Sequence, residues 1–177
     1  MFAHELGFKV SIVDSRPIQV NQERFNLADE VLEVRPENGE WRSVITDRCQ
    51  AVIMTHNNLT DLQWLANLLP LQLPYLGLMG PRKRAEKMLA EISQNGQCGS
   101  DEDLSAVHNP IGLDIGAETP EQIALAIVAE IQATLKGRNG APLRQKNGPV
   151  RFQETDGSCL TLCPTTRLQP SSPLVSV

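Results

Sequence analysis

Short apolar runs alternate along this chain with segments whose apolar residues recur at helical spacing. Near-continuous apolar runs of this length are typical of strands buried on both faces. The predicted strands are FKVSIV at 8–13, DEVLEV at 29–34, AVIM at 51–54, PYLGLM at 74–79 and a short strand within 106–111. The predicted helices cover 61–69, 82–92 and 120–136. The alternation predicts an α/β fold in which helices cover both faces of a parallel sheet.

The last predicted helix has the clearest start signal. Thr119 is a suitable N-cap, Gln122 completes a capping box, and Pro120 occupies the first helical position. Gly112 and Gly116 precede this start and allow a sharp turn or a close backbone approach. A loop that ends on a helix N-terminus is a ready anion site, although the same pattern also fits a plain connection before a surface helix.

The stretch GLMGPRKR at 77–84 is the strongest candidate for anion binding. It follows a strand, contains Gly77 and Gly80, and opens a helix with three cations, Arg82, Lys83 and Arg84, in the first turn. Cations at a helix N-terminus are unfavourable for the helix itself, and a bound anion would offset this. The alternative is that these side chains only solvate the surface. The spacing is not that of a P-loop.

Two further candidates follow predicted strands. His56 leaves the strand at 51–54, where it is either a hydrogen-bonded structural residue or a ligand contact. Asp14 ends the first strand, in the position where a dinucleotide fold holds a ribose hydroxyl. The glycine fingerprint and strand that should precede Asp14 are absent, and an acid at a strand end also serves as a turn or cap residue.

The composition sets limits on the function. Residues 1–137 are predicted to form one domain, whereas 138–177 contain five prolines and one aromatic residue and are expected to be mostly disordered, with a short candidate strand at 149–153. The net charge of −5 argues against nucleic acid as the main partner. We predict no metal site, because the three histidines are scattered and the cysteines lack a metal-binding spacing. Cys159 and Cys163 in the tail could bind a metal or form a disulfide, but a pair with this spacing is only weak evidence for either. With no signal peptide or spanning segment, a cytoplasmic protein is expected.

Several segments together resemble one family. In chain order they are VDSRP, ERFNLADEV, AVIMTHN, YLGLMGPRKR and PIGLDIGAETPEQIALAIVAEI, which extend from about Gly7 to Leu135. They are similar to the C-terminal domain of XdhC/CoxI-type maturation factors, the accessory proteins of molybdenum hydroxylases such as xanthine dehydrogenase and carbon monoxide dehydrogenase. The resemblance implies a Rossmann-like domain without catalytic residues. It also implies that the protein holds the molybdenum cofactor, protects it during sulfuration and delivers it to the apo-enzyme.

The same resemblance implies a NifS-like cysteine desulfurase and the hydroxylase as partners, and a homodimer. The chain departs from the family pattern in three ways. The family's N-terminal domain, with its cysteine, is absent, as are the GAGH-type glycine turn and the first Rossmann strand, and Pro81 replaces the usual Ser. Because the first strand is central in such a sheet, its neighbours must close up, borrow a strand or stay exposed.

Three functions remain open on the sequence. In the first, the cofactor's phosphate lies at 77–84, Gly112 and Gly116 wall the site, and His56 bonds the cofactor. In the second, the chain is an NAD(P)-binding oxidoreductase fragment or a regulatory nucleotide-binding domain in which Asp14 holds the ribose. In the third, it is a partner-binding or structural remnant without a ligand.

Overall fold

A computed structural model describes residues 2–17, 25–96, 106–147 and 173–176. Its strands are β1 (Lys9–Asp14), β2 (Glu30–Glu33), β3 (Gln50–Ile53), β4 (Tyr75–Leu78), β5 (Val107–His108) and β6 (Pro173–Ser176). Its α-helices are α1 (Phe2–Glu5), α2 (Asn58–Leu68), α3 (Arg82–Gln94) and α4 (Pro120–Leu135). A 3-10 helix at Gly39–Val44 and two shorter 3-10 turns complete the described part. The prediction of an α/β fold is confirmed.

The six strands form one parallel sheet in the order β2-β1-β6-β3-β4-β5. Alternate strand residues face opposite sides, so the sheet has two cores. On one face, Ala51 and Ile53 pack with α2, α3 and the 3-10 helix at Gly39–Val44. On the other face, Val52 and Tyr75 pack with α1 and α4. Helices therefore cover both faces, as the sequence predicts.

The centre of the sheet is occupied by β6, which the sequence did not predict. In a doubly wound sheet of order 3-2-1-4-5-6 the first strand lies between the second and the fourth. Here Pro173–Ser176 lies in that position, parallel to β1 on one side and to β3 on the other. Strands β1 and β3 thus pair with a strand from residues expected to be disordered. The candidate strand at 149–153 lies outside the described residues.

The helix starts that local sequence signals predict agree with the structure, with one exception. The capping box of α4 is present, since Thr119 Oγ1 accepts from the Gln122 amide at 3.3 Å and Gln122 Oε1 accepts from the Thr119 amide at 3.1 Å. Helix α2 begins earlier than predicted, because Asn57 Oδ1 accepts from the Leu59 and Thr60 amides. No helix in the described part of the chain is long and apolar enough to cross a bilayer.

Candidate functional site

The loops that follow β3, β4 and β5 meet at the carboxyl edge of the sheet, where open α/β folds bind ligands. Two of these loops are tied together by Asn109, directly after β5. Its Nδ2 donates to the carbonyl of Leu78 at 2.8 Å and to the carbonyl of Gly80 at 3.0 Å. The structure thus places the two glycine-containing stretches, 77–84 and 112–116, on the same edge.

A buried ion pair underlies the loop after β4. Asp61 in α2 has no exposed surface, and its Oδ2 lies 2.9 Å from Arg84 Nη2. The guanidinium of Arg84 also donates from Nη1 to Asn58 Oδ1 at 2.9 Å and from Nη2 to the carbonyl of Met79. Arg84 therefore joins the start of α2 to the loop after β4.

Asp61 has a second partner in Thr55, whose hydroxyl donates to Oδ1 at 2.6 Å. Burial raises the pKa of Asp61 above its usual range, while Thr55 and Arg84 oppose this shift by stabilising the carboxylate. The full burial of Asp61 and its direct contact with the Arg84 guanidinium make the pair part of the framework of the site.

Gly80 leaves the space through which the Arg84 side chain passes. Its φ of +125° is a conformation that L side chains rarely adopt, and a Cβ there would come within 2.6 Å of Arg84 Nη2. The glycine is thus required by both the backbone and the guanidinium that passes beside it.

The other two cations of the predicted anion site face solvent. Arg82 is 77% exposed and makes only a 3.6 Å surface contact with Glu86, one turn further along α3. Lys83 is also exposed. The first amides of a helix have no intrahelical acceptor, so the two exposed cations stand beside unpaired donors. The predicted cluster of three cations is divided, with Arg84 turned inward and its neighbours available to a ligand.

Gly77 has a packing reason for lacking a side chain. It is buried in β4, and a Cβ would come within 2.8 Å of the Tyr75 ring and would also collide with Ile111. The loop that leads to Gly112 therefore lies directly over β4. This close approach fixes the relative position of the two stretches, and it leaves Gly80 as the glycine nearer the exposed cations.

The amide of Gly112 is engaged by a side chain of α4. It donates to Glu130 Oε2 at 2.8 Å, and the Tyr75 hydroxyl donates to the same oxygen. The other carboxylate oxygen lies 3.4 Å from His108 Nδ1, and the His108 ring stacks on Tyr75 at 4.3 Å. Burial, followed by Glu130, raises the pKa of Tyr75 well above its usual value.

The remaining predicted residues differ in their surroundings. Gly116 is exposed, and nothing lies within 4 Å of the Cβ that it lacks. His56 is exposed directly after β3, on the same edge as Gly80. Asp14 lies apart at the end of β1, where its Oδ1 accepts from the Arg16 amide at 2.9 Å and from Arg16 Nε at 3.0 Å.

Sequence reasoning missed two residues that organise this edge, Asn109 and Glu130, and it noted Asp61 only as a sequence neighbour of His56 and as part of the family resemblance. Three buried polar atoms here have no hydrogen-bond partner in the part of the chain that the structure describes: Arg84 Nε, a donor, Asn109 Oδ1, an acceptor, and Asp61 Oδ2, which makes only the ion pair with Arg84. Buried polar groups are nearly always paired, so such atoms mark a place where a ligand or water would be stabilised. No group of three or more potential metal ligands occurs among the described residues.

Comparison with known families gives a match over residues 1–131 to the model described as the XdhC Rossmann domain. One relative, from Bacillus subtilis, is named as a probable subunit of xanthine dehydrogenase; it is 32% identical over 134 residues, which are 76% of this chain and 38% of that protein. Another, the uncharacterized protein YqeB of Escherichia coli, is 30% identical over 149 residues, which are 77% of this chain and 24% of that protein.

A solved structure agrees with these matches. The crystal structure of a protein described as a xanthine dehydrogenase from Bacillus halodurans superimposes with a TM-score of 0.63 at 29% identity, and the match covers 78% of this chain and 38% of that one. The present chain therefore spans well under half the length of each of these relatives.

Proposed function

We propose a function from one established premise, which is that this chain belongs to the XdhC Rossmann-domain family. The proposal is that the protein serves as an accessory factor for an enzyme of the xanthine dehydrogenase or carbon monoxide dehydrogenase type. In this role it binds the molybdenum cofactor as cargo, helps in its sulfuration and aids its insertion into the apo-enzyme. It acts in the cytoplasm and is not itself an enzyme.

The observation that carries the proposal is the division of the three cations in the first turn of α3. Arg84 is committed to Asp61 and holds the loop in shape, while Arg82 and Lys83 stay exposed beside the helix N-terminus. A fixed helix start with two exposed cations suits a phosphate group. The cofactor carries such a phosphate on its pterin, so the donors present fit the anionic end of this cargo.

The other residues at the edge take supporting roles in the proposed site. Gly80 lets the backbone approach the anion, and Gly116 borders the site on the side of the second loop. His56 lies exposed on the same edge, where its ring can donate a hydrogen bond to the cargo. Gly77 and Gly112 shape the site through their packing against Ile111 and α4 and need not touch the ligand.

Cofactor retention tests this proposal. Purified protein is incubated with cofactor released from a molybdenum enzyme and gel-filtered, and molybdenum and pterin are assayed in the protein peak. We expect retention by the wild type and a loss of at least about tenfold in the Arg82→Ala/Lys83→Ala double variant, since two charge-assisted contacts are removed. Lys87→Ala is the matched control, because it removes an exposed cation from the same helix one turn further on.

Two results would overturn the cofactor assignment. One is the absence of molybdenum and pterin from the wild-type peak, and the other is equal retention by the double variant and by Lys87→Ala. The proposed partners are tested separately by co-purification. A NifS-like cysteine desulfurase and the apo-hydroxylase should each be retained by the immobilised wild-type protein, and light scattering should report the proposed homodimer.

A second candidate function is NAD(P) binding, either as an oxidoreductase fragment or as a regulatory nucleotide-binding domain. It is favoured by Asp14, which ends β1 next to the centre of the sheet, where dinucleotide folds hold the ribose. The carboxylate is already bonded by Arg16, and the chain contains no Gly-x-Gly-x-x-Gly stretch. Calorimetry with NADH and NADPH separates the two functions: binding that Asp14→Ala abolishes would favour the nucleotide.

A further inference from the structure

In the described part of the chain, strand pairing joins the two halves of the sheet only through β6. Val175 lies opposite Ser11 of β1 and opposite Ala51 of β3, and Leu174 lies opposite Val10 and Gln50. β1 and β3 are not neighbours in the sheet. If β6 left, both strands would expose a row of unpaired backbone groups at the centre of the fold, which is a template for another strand.

The residues that fill this position belong to a segment far along the chain from the rest of the fold. Helix α4 ends at Leu135 and β6 begins at Pro173, so residues 136–172 connect the two elements in sequence. Because β6 and its neighbours are parts of one chain, their pairing is intramolecular, and the same contacts are available to an identical segment from outside. Occupation by β6 is thus an intramolecular binding equilibrium.

The strands on either side of β6 contain polar groups that the present arrangement leaves without partners. Ser11 in β1 and Gln50 in β3 are each 1% exposed, and Ser11 Oγ and Gln50 Oε1 have no hydrogen-bond partner among the described residues. An unpaired buried polar atom costs free energy. Ser11 lies opposite Val175 and Gln50 lies opposite Leu174, so both unpaired atoms belong to the strands that border β6.

We propose that the space between β1 and β3 is a strand-acceptor slot. In this proposal Pro173–Ser176 is the occupant in cis, and an extended peptide of the same sequence binds the slot in trans as a parallel central strand. The recognition is that of β-strand addition, in which backbone hydrogen bonds to β1 and β3 supply the affinity. This interaction is independent of the proposed anion site at the ends of β3 to β5.

The test uses the full chain with a substitution that prevents its own β6 from pairing with β1 and β3. In Val175→Pro the central residue of β6 loses its N–H, and proline is not tolerated in the middle of a sheet. Hydrogen exchange at the amides of Ser11 and Val52 should become roughly tenfold faster or more, because the strands beside β6 lose protection. A synthetic peptide of residues 168–177 should restore wild-type exchange saturably, with one peptide per chain.

Two controls isolate the backbone contribution. Val175→Thr keeps the β-branched shape and the N–H, so its exchange should match the wild type within about threefold. A 168–177 peptide that carries Val175→Pro should not restore protection. If Val175→Pro does not fold, the readout is recovery of the buried environment of Trp41 and Trp64 on refolding with the wild-type peptide. Wild-type exchange rates in Val175→Pro, or failure of the wild-type peptide to rescue it, would overturn the proposal.

Discussion

The loops after β4 and β5 lie side by side at one edge of the sheet. Each loop is held by a charged side chain of the protein itself, and the two side chains have opposite charges. After β4, the Arg84 guanidinium donates to the carbonyl of Met79 and pairs with buried Asp61. After β5, the Glu130 carboxylate accepts from the amide of Gly112 and from Tyr75. One loop therefore presents a carbonyl to a cation, and the other presents an amide to an anion.

This difference separates two loops that look equivalent in sequence. An anion-binding loop needs backbone amides that are not already bonded. Glu130 has taken the Gly112 amide, so the second loop has less capacity for an external anion. In the first loop, the carbonyl of Met79 accepts from Arg84, and the start of α3 with the exposed Arg82 and Lys83 remains available to an anion. Anion binding at this edge is thus expected to depend on the first loop.

The largest effect is expected from Arg84→Ala, which leaves Asp61 buried without its counter-ion. Removing one partner of a buried ion pair costs about 3–5 kcal/mol. Urea unfolding followed by the fluorescence of Trp41 and Trp64, which are both buried, measures the free energy of unfolding. Arg82→Ala, at a position that is 77% exposed, should stay within about 0.5 kcal/mol of the wild type. Equal losses in the two variants would remove the distinction between inward and outward cations.

The pH dependence of the stability lost in Arg84→Ala tests whether Asp61 is buried as the partner of Arg84. The pKa of Asp61 is already raised by burial, and loss of Arg84 raises it further. A raised folded-state pKa means that the protonated form is favoured on folding, so stability is fullest below the unfolded pKa and falls as the pH rises through the folded one. The destabilisation should therefore be smaller at pH 5 than at pH 8. A constant loss across this range would contradict the assignment.

Glu130→Ala tests the carboxylate that holds the loop after β5. The variant leaves the Tyr75 hydroxyl and the Gly112 amide without their acceptor, which should cost about 2–3 kcal/mol. Glu130→Gln keeps one acceptor oxygen in the same shape and should cost about half as much. The free energy of unfolding checks both variants, and similar losses in the two would show that the shape and single acceptor oxygen kept by Gln contribute nothing without the charge of the carboxylate.

Gly80→Ala should destabilise by about 2 kcal/mol, because it combines an unfavourable φ with a contact on Arg84. Gly116→Ala is its matched control, with a positive φ of 68° but open space around the missing Cβ, and should cost about 1 kcal/mol. Denaturant midpoints for the two variants separate backbone strain from the contact with the guanidinium. A larger loss for Gly116→Ala would reverse this interpretation.

The smallest effect concerns Tyr75, the single tyrosine of the chain. Its pKa is raised by burial and by Glu130, so it should remain protonated in the folded protein above pH 10, the value near which a free tyrosine ionises. Stability is fully present below that value and is lost as the pH rises above it. Tyrosinate absorbance should therefore appear together with unfolding, and a titration near pH 10 in the folded protein would contradict the buried contact.

Much of the fold could be predicted because apolar runs and helical periodicity are local signals. The strands at 9–14, 50–53 and 75–78 and the capping box of α4 are where those signals placed them. The strand Pro173–Ser176 could not be found in this way. It lies in a segment rich in proline and serine, and its extended state depends on pairing with β1 and β3, which are distant in sequence.

The candidate site was predicted in position but not in detail. Three consecutive cations at 82–84 point in directions about 100° apart around a helix, and sequence alone does not tell which one turns inward. That choice is made by Asp61, a residue on another helix. The same holds for Gly112, whose amide is bonded by Glu130, 18 residues further along the chain.

The central position of β6 has a consequence for biosynthesis. Translation is vectorial, and residues 173–176 leave the ribosome after every other element that the structure describes. Until they emerge, none of the strands that the structure describes lies between β1 and β3, for a period on the order of seconds at normal elongation rates. Unpaired strand edges of this kind are prone to aggregation, and the large sequence separation of the final pairing predicts slow completion of the fold.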